Sequence, residues 1–106
     1  MKKEGKQLVV AVLGRISKHL GAYLVSGEYD KSHRTDEKTI LYLLSESSRL
    51  SPGSQKTCRR AWNLIQILQR HRHHEPIDHV DEVHEVIASL GVVVGDFLKS
   101  FESAKG

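Results

Sequence analysis

The sequence predicts an all-α fold, an antiparallel four-helix bundle with up-down-up-down topology, formed as a single domain over residues 1–106. Three observations lead to it. Residues 78–102 set Val80, Val83, Ile87, Leu90, Val94, Phe97 and Phe101 at alternating steps of three and four, which on a helix is one continuous apolar seam. Three other segments carry apolar stripes of helical period that can cover that seam. The connections between the four are short, and short connections make successive helices antiparallel neighbours.

The first helix is expected over residues 4–25. Val9, Val12, Leu13, Ile16, Leu20, Tyr23 and Leu24 fall on one face, with Gln7, Arg15, Lys18 and Ala22 opposite. Gly14 and Gly21 lie with Ser17 on a flank of small residues, where another helix is expected to approach, Gly91 and Gly95 beside Ala88 being the matching surface. Gly27 supplies a helix stop. Thr35 reads as the N-cap of a second helix over 36–50, with Asp36 and Glu37 opposing the dipole of its first turn. Its stripe is Ile40, Leu43, Leu44 and Leu50, with Ser47 alongside and Tyr42, Glu46 and Arg49 pointing away. Ser51-Pro52-Gly53-Ser54 breaks the chain. Ser54 is expected to cap a third helix over 55–73, whose inner face is Cys58, Ala61, Trp62, Leu64, Ile65 and Leu68. Glu75-Pro76 ends it, and Asp78 is expected to cap the fourth helix, 78–102. The competing fold is α+β, with 8–13 and 92–94 as strands, because short valine-rich runs are ambiguous between the two states.

Composition bounds the function. With one Trp, three Tyr and two Phe, the core must be built mainly from Leu, Ile and Val. A net charge of +3, with seven histidines counted neutral, permits an anionic partner without requiring one. The single cysteine, Cys58, excludes an internal disulfide and suits a reducing compartment. Lys2, Lys3 and Lys6 precede the apolar run 8–13, but Arg15 and Lys18 follow at once without a small-residue cleavage site, so a secretion signal is not expected. No stretch reads as the roughly 20 apolar residues of a membrane span. A cytoplasmic location is the expectation.

No nucleophile elbow, HExxH or P-loop occurs, and the chain is expected to be non-catalytic, with no cofactor and no small-molecule substrate. Arg70 to His74 has the Arg-x-x-x-His spacing that resembles helical RNases of the HEPN class, a short match in a segment rich in Arg and His. The histidines His71, His73, His74, His79 and His84 lie near Asp78, Asp81 and Glu82, yet none is paired at the spacing of a structural zinc site. They read as polar residues solvating a helix–helix turn, and no metal is expected. The candidate binding residues are the basic stripe Lys56, Arg59 and Arg70, with Arg60 and Arg72 beside it. Cations at that spacing can lie along a nucleic-acid backbone, and the same stripe also reads as a solvated helix face. It has no interleaved aromatic for base stacking. Cys58 and Trp62 read as core residues.

Three stretches resemble the enterocin A-type immunity proteins. They are the opening Met1-Lys2-Lys3-Glu4-Gly5-Lys6-Gln7-Leu8-Val9, the passage from Leu50-Ser51-Pro52-Gly53 into Arg60-Ala61-Trp62-Asn63-Leu64-Ile65, and residues 77–91 ending Ser89-Leu90-Gly91. The resemblance implies a cytosolic helical bundle that protects a bacterium against pediocin-like bacteriocins. It would act at the membrane receptor, or bacteriocin–receptor complex, through its C-terminal half. The alternative partner is nucleic acid, a duplex RNA or DNA contacted along its backbone by the basic face. A homodimer formed through the small-residue flank or the seam is the third reading.

Overall fold

A computed structural model describes residues 3–70 and 75–103. It contains four helices: α1 Lys3–Ser26, α2 Arg34–Ser45, α3 Pro52–Arg70 and α4 Val80–Ser103. The segments 8–13 and 92–94 are both helical, so the α+β alternative is overturned. Each helix packs against its neighbours in sequence, and α4 closes the ring against α1. Cross-contacts give the directions. Lys6, early in α1, lies over Phe101 late in α4, while Tyr23, late in α1, meets the backbone of Asp78 just before α4. Gln55, early in α3, donates to Ser47 O just after α2, while Lys38, early in α2, lies over Trp62.

The core follows the expected stripes on α1 and α3. Val9, Val12, Leu13, Ile16, Leu20 and Tyr23 are buried from α1, and Cys58, Ala61, Leu64, Ile65 and Leu68 from α3. Trp62 is only half-buried at the rim. On α4 the buried line is Val83, Val86, Leu90, Val93 and Phe97. Val86 and Val93 lie off the expected seam. Ile87, Val94 and Phe101 flank the core, and Val80 is 41% exposed. The seam is thus covered by helices of the same chain. On α2 the inner line is Glu37, Leu41, Leu44 and Ser45, whereas Leu43, expected inside, is 57% exposed. The helix is rotated by about one residue from the apolar-only reading because Glu37 is drawn inward by partners on α1 and the first loop.

The helix ends differ from expectation for local reasons. Gly27 stops α1 as expected: it has φ 77° and donates its N–H to Tyr23 O at 2.8 Å. His33, not Thr35, is the N-cap of α2, and it makes no side-chain cap. α2 stops at Ser45 rather than 50 because Ser45 Oγ donates to Tyr42 O and Ser47 Oγ accepts from Arg49 N. Those serine bonds compete with helical hydrogen bonding, and 46–50 becomes a turn that still buries Leu50. Pro52-Gly53 is not a break but the first turn of α3, Pro52 holding the position where a missing N–H costs nothing. Ser51 caps it, its Oγ accepting from Ser54 N at 3.3 Å, which frees the Ser54 side chain from the capping role expected of it. His79 adopts φ 58° and opens α4, with Val83 N bonding to His79 O. Asp78 therefore sits one residue outside the cap and accepts from His79 N at 2.7 Å. The expected continuation of α3 to 73 lies outside the described residues.

The small-residue crossing does not form. A Cβ placed at Gly14, Gly21, Gly91 or Gly95 would meet nothing within 4 Å, and Gly14, Gly91 and Gly95 are exposed. Helices α1 and α4 meet through the larger side chains of their apolar faces instead. The expectation about membrane spans also needs correction: Gly5–Ser26 is long and apolar enough to cross a membrane by length and composition, although its buried residues are those of the bundle core.

Exposed glycines inside helices cost backbone entropy without a packing return. Gly91→Ala and Gly95→Ala should each raise stability by about 0.5–1 kcal/mol in urea titrations. A loss instead would mean that this face is covered by something the single chain does not provide.

Candidate functional site

The outer faces of α2 and α3 form one surface, and most of the expected basic stripe lies on it. Lys56, Arg59 and Arg70 are exposed on α3 with Asn63 between them. None of the three has an ion pair among the described residues, and α3 carries no carboxylate. Arg60 behaves differently. It turns toward α4, where it bonds Glu85 and lies 3.5 Å from Glu82, tying the two helices together rather than facing a ligand. Arg72 lies outside the described residues.

The antiparallel pairing of α2 with α3 adds aromatic surface that the stripe lacks in sequence. Tyr42, 58% exposed, stands across from Arg59 and Trp62, and the three with Ser45 line a surface pocket of about 270 Å³. Lys38 Nζ sits 5.3 Å from the Trp62 ring centre, a cation–π contact. Sequence reasoning placed Tyr42 outward and Trp62 inward and joined neither to the stripe. The available signal was register: Lys38 and Tyr42 share one face of α2, and Arg59 and Trp62 are one turn apart on α3.

A second polar assembly lies between α1, α2 and the first loop. Glu37 is 0% exposed. It accepts from Arg15 Nε at 3.1 Å on Oε2 and from Tyr29 Oη at 2.9 Å on Oε1. His19 Nδ1 lies 3.1 Å from Oε2 but off the hydrogen-bond axis, and the His19 ring meets Tyr29 edge-on at 5.5 Å. Burial drives the Tyr29 phenol far above its ordinary pKa, and the Glu37 charge adds to this. The two Glu37 oxygens are thus committed to holding α2 to α1 and to the first loop. A cleft of about 830 Å³ lies outside this assembly, lined by Arg15, Lys18, His19, Tyr29, Asp30 and Lys31 among others. Asp30 is itself engaged by the Ser32 hydroxyl and N–H, which hold its carboxyl below the usual range.

At the other end, Ser51 and Ser54 both donate to Asp96 of α4. The Ser54 and Ser51 hydrogen bonds hold the Asp96 carboxyl below its ordinary value. The carboxylate also faces the positive N-terminus of α3. Cys58 is buried, and burial pushes its thiol up to about 12. It is a core residue and a poor nucleophile.

Of the histidine cluster, His71, His73 and His74 lie outside the described residues, and the Arg70–His74 spacing falls with them. His79 and His84 are exposed. Among the described residues no group of three or more His, Cys, Asp or Glu is placed to hold a metal.

No family model, curated protein or solved structure matches the chain.

Removing Glu37 leaves Arg15 and Tyr29 facing an emptied, desolvated site. Glu37→Ala should cost about 3–5 kcal/mol in denaturant titrations. Glu37→Gln, which keeps an acceptor for Tyr29, should cost less. Equal losses for the two would mean that packing alone explains the position.

Proposed function

We propose that the chain is a non-catalytic binding protein that takes an anionic polymer, a nucleic acid, on the joined outer face of α2 and α3. The observation that carries this reading is a helix whose outward cations Lys56, Arg59 and Arg70 have no ion pair among the described residues, which has no carboxylate, and which sets a half-buried tryptophan beside an exposed tyrosine of α2. Phosphates attract such a face without regard to sequence, and aromatic rings within it add contacts to bases. The working residues are Lys38, Tyr42, Lys56, Arg59, Trp62 and Arg70. Binding should weaken with salt at a log–log slope of roughly −3, as expected when about four cations meet single-strand phosphates. The double variant Arg59→Glu/Arg70→Glu should fold normally by circular dichroism and lose retention on oligonucleotides at 50 mM salt. Unchanged retention would sink this reading.

A second reading, a cytoplasmic immunity protein of the enterocin A type acting at a membrane receptor, draws support from one observation: the resemblance implies a helical bundle, and the chain is a four-helix one. Expression in a bacteriocin-sensitive strain should then lower killing by at least one pediocin-like peptide. Unaltered killing across a panel would remove it.

A further inference from the structure

We propose that the pocket between Tyr42 and Trp62 receives an unpaired nucleobase, so that the polymer bound on this face is single-stranded. This rests on the nucleic-acid reading above and specifies its substrate.

The pocket has the chemistry of a stacking site more than of a hydrogen-bonding one. Its walls are the rings of Tyr42 and Trp62, the Arg59 side chain and Ser45. The Ser45 hydroxyl proton is already spent on Tyr42 O at 2.7 Å, so it offers a base edge no donor. Stacking without edge contacts is sequence-tolerant because every base has a π-face. Trp62 packs against the core, and the Lys38 ammonium that lies over its ring is not among the residues lining the pocket, so the pocket side of Trp62 is left to a base.

The cations are arranged around the pocket as a backbone would need them. Arg59 forms one wall, and Lys38 of α2 lies over the Trp62 ring. Lys56 lies one turn before Arg59 and Arg70 three turns after, a track of about 21 Å along α3 at 1.5 Å per residue. A chain of phosphates following that track passes the pocket mouth. A duplex could use the cations but would leave the pocket idle, since its bases are stacked on each other and withdrawn from a convex helical surface.

The chain has a single tryptophan, so its fluorescence reports this pocket alone. The test uses the full chain at 50 mM salt with three probes: an oligothymidylate of about ten nucleotides, an abasic phosphodiester oligomer of the same length, and a duplex of matched charge. Oligothymidylate should quench Trp62 emission and bind at least about fivefold more tightly than the abasic oligomer, the affinity gained from one stacked base. The abasic oligomer should bind without quenching. Tyr42→Ala, which alters an exposed side chain, should abolish the preference for oligothymidylate over the abasic oligomer. Equal affinity for all three probes with unaltered emission would overturn the base pocket and leave the basic-face reading standing, as would a Tyr42→Ala protein that keeps the preference. Failure to bind any probe would overturn both.

Discussion

In a ring of four helices each helix must cover two neighbours at once, and this constraint explains most of what is buried where. A seam of strict heptad positions serves one partner; a helix between two partners buries a broader arc. On α4 the arc is centred on Val83, Val86, Leu90, Val93 and Phe97, with Ile87, Val94 and Phe101 on its edge toward solvent. The line of steps of three and four survives, but it is moved round the helix to point between α1 and α3. Leu, Ile and Val fill the centre. Phe97 and Phe101 lie toward one end, where they meet edge-on and Lys6 and Arg49 lie over Phe101.

Polar residues then choose the rotations and registers that apolar packing leaves open. Glu37 is the strongest case. Its carboxylate gains Arg15 and Tyr29 only if α2 turns so that Leu41 goes in and Leu43 comes out. A buried carboxylate is tolerable when paired and hydrogen-bonded, and costly when misplaced, so the same interaction disfavours the other rotation. Asp96 with Ser51 and Ser54, and Arg60 with Glu82 and Glu85, pin α3 to α4 at two heights. Tyr23, buried within α1, bonds the backbone of Asp78 and fixes where the chain enters α4.

The candidate surface depends on these choices. Were α2 rotated to the apolar-only reading, Tyr42 would not face Arg59 and Trp62. The basic stripe of α3 would then be an ordinary solvated face. The surface acquires aromatic character because the carboxylate of Glu37, on the inner side of α2, determines what its outer side presents.

The sequence by itself determined the helix count, the inner faces of α1 and α3, the stop at Gly27 and the outward direction of Lys56, Arg59 and Arg70. All of these follow from spacing within one segment, and the 3.6-residue period is a local property. Tertiary structure alone decided that Glu37 is a core residue, that Arg60 pairs with α4, that the glycine faces look to solvent, and that Tyr42 meets Trp62. Each of these depends on how one helix is set against another. Their meeting depends on the rotation and register of two helices, which are set by packing and by the cost of burying charge, and no spacing in the sequence records either.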